Sequence, residues 1–300
     1  MTKATFTTSV VSTKDAFKKR SQMMEIWHRL KKNKWAIGGL ILLFLIVLIA
    51  IFAKWIAPFG YDDQNMDALF IPPGVDIKYL LGTDNLGRDI LSRLIYGAQI
   101  SLRVGITAIG ISAFFGIILG MISGFYAGNL DNFIMRIMDI LLAIPGILLA
   151  IAIAATLGPG IDNAIMAVGI AGIPAFARIV RGSILTVREM EYIEAARAVN
   201  AKDLRIIIIH ILPNIMGPVI VQFTLGIANS ILEVASLSFL GLGVQPPFPE
   251  WGGMISSARG YLRDFGYMVT MPGIAIMITV FAINILGDGL RDALDPRLKQ

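Results

Sequence analysis

No cysteine occurs in the 300 residues. That removes disulfides, thiol catalysis and Cys-ligated zinc, and leaves the redox compartment open. Histidine is nearly as scarce, and His28 and His210 stand too far apart in sequence to point to a metal site. Charge is scarce as well: Asp, Glu, Lys and Arg make up 16% of the chain, against about 25% in soluble domains. The dipeptide Gly-Lys is missing altogether, so there is no Walker A loop with which to hold and hydrolyse ATP. Neither Gly-x-Ser-x-Gly nor His-Glu-x-x-His occurs, which leaves no positive sign of hydrolase chemistry. The sequence reads as a non-enzyme.

Apolar residues fill the space. They are 56% of the chain, with a mean hydropathy of +0.72. These figures exclude disordered, collagen-like and disulfide-framed secreted proteins and place the chain in a membrane. A span needs about 20 mostly apolar residues. Six runs qualify: Ala36–Ala53, Val104–Tyr126, Ile140–Leu157, Ala164–Ile184, Val219–Leu240 and Val269–Leu286. The fourth carries Arg178 and Arg181 in its last turns, where long side chains snorkel to the interface. The leader of about 35 residues is too long for a signal peptide, so the first run reads as a retained anchor. Residues 1–22 read as unordered. Met23, Ile26, Trp27 and Leu30 then share one helical face among Arg29, Lys31, Lys32 and Lys34, the pattern of a helix lying on an anionic lipid surface.

Basic residues set the orientation. With the N-terminus inside and six alternating spans, nineteen of the 26 Lys and Arg lie in cytoplasmic segments and seven outside. Acidic residues divide almost evenly, so the bias is not a net-charge accident. Both termini are expected in the cytoplasm, and the pI of about 9.5 reports orientation rather than nucleic-acid binding.

Inside the spans, Ala108, Ser112, Gly116, Gly120, Gly124 and Gly128 place a small residue at every fourth position. Such a ridge admits another helix backbone closely, within the chain or from a second subunit. Pro145 and Pro174 fall in the third and fourth spans, while Pro218 and Pro272 open the fifth and sixth. Each removes a backbone donor and bends its helix. Glu233 sits in mid-run, where an unpaired carboxylate is costly; it is expected to face a cavity, a partner helix or a cation, which makes it a pathway candidate. Asp139 is expected to pair with Arg136, three residues before it.

The most informative stretch is Arg178–Leu212. Thr186-Val-Arg-Glu189 matches a capping box opening a helix, and Glu189, Tyr192, Ile193, Ala196 and Val199 share a face of it. Asn200 tolerates the left-handed conformation that stops a helix. Asp203 can cap a second helix, Leu204–Leu212, which Pro213 ends. Ala195 and Ala196 allow close approach by another surface, among the charges of Glu191, Glu194, Arg197, Lys202 and Arg205.

Here the sequence resembles a known family. Glu194-Ala195-Ala196, three residues, Asn200, nine residues and then His210-Ile-Leu212-Pro213 is similar to the EAA loop of ATP-binding-cassette importer permeases. Family members have Gly where this chain has Asn200, and Ile where it has His210. Leu81–Gly97, with Gly82, Thr83, Asp84, Gly87, Arg88 and Asp89, resembles the segment after the first external loop in C-type permeases of dipeptide, oligopeptide and nickel importers. Leu237–Gly252 and Asn284–Pro296 resemble two further segments of that group, and the dipeptide branch is the nearest.

The resemblance implies an all-α fold with six transmembrane helices, of the type I importer permease kind, in a bacterial inner membrane. It divides the chain into a cytoplasmic segment (1–35), a first anchor (36–57), a periplasmic loop (58–100), a five-helix core (101–290) with a coupling loop at 186–213, and a tail (291–300). It implies uptake of dipeptides or short peptides beside a paralogous B-type permease, two ATPase subunits and a periplasmic binding protein. ATP and magnesium belong to those ATPases; no cofactor is expected on this chain. Tyr192, Glu194, Ala195, Ala196, Arg197, Asn200, His210, Leu212 and Pro213 are the expected ATPase contact, and the six residues from Gly82 to Asp89 are expected at the periplasmic mouth, either folding over it or meeting the binding protein. Longer peptides, antimicrobial peptides or nickel stay open as cargo. A secondary transporter working through Glu233 is the remote alternative, for which no internal repeat speaks.

Overall fold

The computed structural model describes residues 22–294; among these there is no strand, only an isolated bridge between Thr83 and Asp89. The segment expected to be unordered, the last residues of the expected tail, and the side chains of Met23 and Ile26 lie outside the described residues. Five helices are long and apolar enough to cross a membrane. They are α2 (Lys34–Ile51), α4 (Ile90–Tyr126), α7 (Ile161–Val187), α10 (Leu212–Phe239, continuous with a π-helical turn at Ile206–Ile211 and with α9, Asp203–Arg205) and α12 (Tyr267–Leu294). Short helices α1 (Gln22–Lys32), α3 (Ala53–Ile56), α8 (Glu191–Ala198) and α11 (Trp251–Ala258) decorate them.

The third expected span is not one helix. α5 (Gly128–Leu142) and α6 (Gly146–Leu157) meet at 89°, so Ile140–Leu157 straddles a break. Pro145 stands at the N-cap of α6 rather than inside a helix. Its φ is locked and it lacks an N–H, so it opens a helix better than it continues one. Pro218 and Pro272 lie within α10 and α12 rather than opening them.

The small-residue ridge of α4 packs on α7 within the chain. A Cβ on Gly116 would lie 2.3 Å from Phe176 Cβ, one on Gly120 2.7 Å from the Ala177 carbonyl oxygen, and one on Gly124 2.9 Å from Ile184 Cβ. Ser112 Oγ donates to the Gly169 carbonyl at 2.7 Å. Gly128 does not belong to the ridge: it opens α5 at φ 63°, with nothing within 4 Å of where its Cβ would be.

α1 docks on α12 through Leu30, which is buried with Ala36, Leu286 and Ala293. Trp27 stays exposed, with Lys31 Nζ 5.1 Å above its ring. Asn33 Oδ1 accepts from the Trp35 and Ala36 amides and starts α2.

α11 is fastened from within. Glu250, 1% exposed, accepts hydrogen bonds from the Gly252 and Gly253 amides at 2.9 and 2.8 Å and from the hydroxyls of Ser101 and Ser238. Burial still pushes its carboxyl above the ordinary 4.5, the four donors pulling the other way. The folded chain therefore holds that proton more tightly than the unfolded one. The associated stability is fully present below pH 4.5 and is lost as pH rises through the native value. The gap in thermal midpoint between wild type and Glu250→Gln is expected to change with pH across that window and to level off above it. A gap that never varies would mean that the carboxylate is not desolvated.

Candidate functional site

Two ends of the bundle carry the residues singled out in the sequence. At one end residues 57–89 fold into a cap over the start of α4. Asp84 Oδ1 accepts from the Leu86 and Arg88 amides at 2.9 and 3.0 Å, and Arg88 Nε donates to Asp84 Oδ2 at 2.7 Å. Asp89 Oδ2 accepts from the Ser92 amide and hydroxyl and so caps α4, while Ser92 Oγ accepts from the Phe59 amide. Thr83 Oγ1 donates to the Ala68 carbonyl, and the Thr83 carbonyl accepts from Tyr267 of α12. Gly87 has φ 68°, and a Cβ there would stand 1.8 Å from the Asn65 carbonyl oxygen.

Gly82, Thr83, Asp84, Gly87, Arg88 and Asp89 are therefore all buried. They build the cap: Asp84 holds Arg88, Thr83 holds Ala68 and Ile71, and Asp89 holds Ser92, with Asp89 Oδ1 buried and unpartnered among the described residues. The exposed part of the cap mixes apolar side chains, Met66, Val75, Ile77 and Leu80, with the charged Asp62, Asp63, Asp67 and Lys78. α4 begins at Ile90, inside the expected loop 58–100.

At the other end α8 projects between α7 and α9. Ile193 is fully buried with Val187 and Ile184 of α7, Phe125 at the end of α4, and Ile206, Ile207 and Ile211. Ala196 packs against the same cluster. Tyr192, Glu194, Ala195, Arg197 and Val199 are exposed, so Tyr192 and Val199 do not share the inward face with Ile193. Arg197 lies over the Phe125 ring at 5.5 Å. Asn200 has φ 58°, the Asn200 amide donates to the Arg197 carbonyl, and the Ala201 amide donates to the Ala196 carbonyl. That pair of bonds is a Schellman stop with Asn in the place where glycine is usual.

Three local expectations fail here. Thr186 lies inside α7 with its hydroxyl on the Gly182 carbonyl, and α8 starts at Glu191 after Met190, which offers no side-chain cap, so the capping box does not form. Asp203 is the first residue of α9, after Lys202. Pro213 does not end a helix but sits in the first turn of α10, exposed, with Leu212 and His210 half-buried. Proline cannot donate to the carbonyl four residues back and crowds it. The wider π-helical turn just before it, in a β-branched run, absorbs the misfit.

Sequence reasoning missed the ion pairs joining α5 to α7. Arg181 Nε and Nη2 each donate to Asp131 at 2.6 Å, and the Ser123 hydroxyl donates to the same carboxylate. Asp139 pairs with Arg178 at 2.6 Å, not with Arg136. Glu233 is half-buried on α10, facing Gly146 at the start of α6.

Residues 116–300 match the family of binding-protein-dependent transport system inner membrane components. The chain belongs to this family. Residues 21–73 match the N-terminal transmembrane domain of oligopeptide transport permease C. As an inner membrane component it is 48% identical to the di/tripeptide transport system permease protein DppC of Pseudomonas aeruginosa, over 93% of each chain. It is 46% identical to the dipeptide transport system permease protein DppC of Haemophilus influenzae, over 95% of this chain and 98% of that one. It is 48% identical to the glutathione transport system permease protein GsiD of Escherichia coli, over 93% and 92%. In fold the inner membrane component is similar to a chain of the MetNI methionine ABC transporter in an inward-facing conformation. The TM-score is 0.56 at 20% identity, covering 68% of this chain and 96% of that chain.

Proposed function

We propose that this chain is a permease subunit of an ATP-driven importer of dipeptides and other short peptides. The α8 end faces the cytoplasm and meets an ATPase; the cap faces the periplasm. One observation carries the coupling role: α8 offers Tyr192, Glu194 and Ala195 outward while Ile193 is locked into the ends of α4, α7 and the α9–α10 segment. A push on α8 therefore reaches all three spans. The chain divides as its sequence implies, with a core from residue 101 and a coupling loop around 186–213, and works beside a paralogous B-type permease, two ATPase subunits and a binding protein. ATP and magnesium act on the ATPases. The nature of the cargo rests on the relatives, named for di- and tripeptides and for glutathione, itself a tripeptide derivative. Glutathione is thus the second reading.

Glu194→Arg reverses a charge on the exposed face of α8 without touching Ile193. Peptide uptake in proteoliposomes is expected to fall at least tenfold, with the chain still inserted and the ATPase no longer stimulated by the binding protein. Wild-type uptake in the variant would remove α8 as the coupling element.

A further inference from the structure

Along α10, Gln222, Asn229, Glu233 and Ser236 fall within about 60° of arc at 3.6 residues per turn. Asn229 and Ser236 are exposed, Gln222 and Glu233 half-buried. Ser236 donates only to Leu232 of its own helix, and the other three make no hydrogen bond or ion pair with any described residue. Lipid offers such groups no partner, so a stripe of them in a span faces water, protein or cargo.

The stripe runs beside the broken span. A Cβ on Gly146 would lie 3.7 Å from Glu233 Oε1, and the turn from Leu142 to Gly146 is exposed throughout. Non-helical backbone at membrane depth is tolerated only where protein buries it or where it lines water. This chain does not bury it. Two independent features, a helix break and an unpartnered polar stripe, therefore point to one aqueous passage, with the only carboxylate of the stripe at the break.

We infer that Glu233 is a cargo-binding residue of that passage, taking the α-ammonium group of the peptide as it passes the break between α5 and α6. The inference rests on the peptide-import reading. A lone carboxylate with the amide carbonyl of Asn229 one helical turn away offers acceptors to the N–H donors of an ammonium, and Gln222, two turns further along, continues the polar track. A divalent metal requires more anionic ligands than the stripe supplies. The α-ammonium is also the one charge that peptides of every side-chain composition carry with their terminal carboxylate, so a single fixed acid serves the whole cargo class.

The test uses the complete transporter in proteoliposomes, with ATP inside and binding protein plus radiolabelled Ala-Ala outside. A membrane-permeant carbodiimide joins a carboxylate to an amine only where the two touch. The expected result is a labelled amide on Glu233 that is absent in Glu233→Gln. Uptake in that variant falls about tenfold, the loss of one charge-assisted hydrogen bond. Stimulation of the ATPase by the binding protein stays intact, and Glu233→Asp restores most of the uptake. Uptake without an adduct, together with wild-type transport by Glu233→Gln, overturns the inference alone, as does an adduct joining Glu233 to a lysine of another subunit. Failure of the wild-type transporter to take up Ala-Ala overturns the import reading, and this inference with it.

Discussion

Gly120→Leu is expected to cost about 3 kcal/mol of stability or more, the upper end of what overpacking inflicts. Intrinsic helix propensity points the other way, favouring leucine over glycine by about 0.8 kcal/mol, so any loss measures packing. The first added carbon would stand 2.7 Å from the Ala177 carbonyl oxygen and from Val180 Cβ. Neither neighbour can yield as the tip of a flexible side chain would. α4 and α7 form the most extensive helix pair in the chain, and separating them also opens the contacts of Gly116 and Gly124. Thermal unfolding of the purified chain in mild detergent reads the effect. Gly110→Leu on the same helix is the control, because nothing lies within 4 Å of its added carbon. Equal midpoints for the two variants would mean that α4 and α7 do not pack as described.

Asp131→Asn is the second large effect. Three donors converge on this carboxylate, two of them the fork of Arg181, and its side chain is 9% exposed. Removing one partner of a fully buried pair costs about 3–5 kcal/mol. Arg181 is a third exposed, and water screening brings the expected loss to about 2 kcal/mol. The pair Arg178–Asp139 has the same 2.6 Å contact with both side chains more than half exposed, so Asp139→Asn is expected to stay within about 0.5 kcal/mol of wild type. The same unfolding measurement on both variants decides whether burial or distance governs these contacts. Similar losses at the two sites would show that α5 is held to α7 by charge alone.

Five of the six spans are legible as apolar runs because the criterion is only length and the lack of charge. The break in the third is not, since hydropathy stays high across Leu142–Gly146 and a one-dimensional run carries no angle. Pro145 marks the place but not the 89° bend. Asn200 is readable because one backbone conformation suits few residue types. Thr186 misleads because the same hydroxyl that caps one helix can bond four residues back inside another. Asp139 misleads for a broader reason: a neighbour three residues away is visible in sequence, and an arginine on another helix is not. The burial of Asp84, Arg88 and Asp89 was hidden likewise, because charged residues in a loop look solvated until their partners are known. Gln222 and Asn229 could have been found by plotting polar residues around the fifth span at helical spacing.

α4 runs for 37 residues without a proline, whereas α7 and α12 each contain one and α10 two. At 1.5 Å per residue it is roughly 55 Å long, nearly twice the hydrocarbon thickness. Its N-terminus is the footing of the cap, through Asp89 and Ser92, and its C-terminus holds Phe125 against the Ile193 cluster. Such a rod is a lever. A tilt of about 10° about its midpoint carries each end through about 5 Å for a rod of this length. Movement at one face of the membrane is thus felt at the other in a single rigid step.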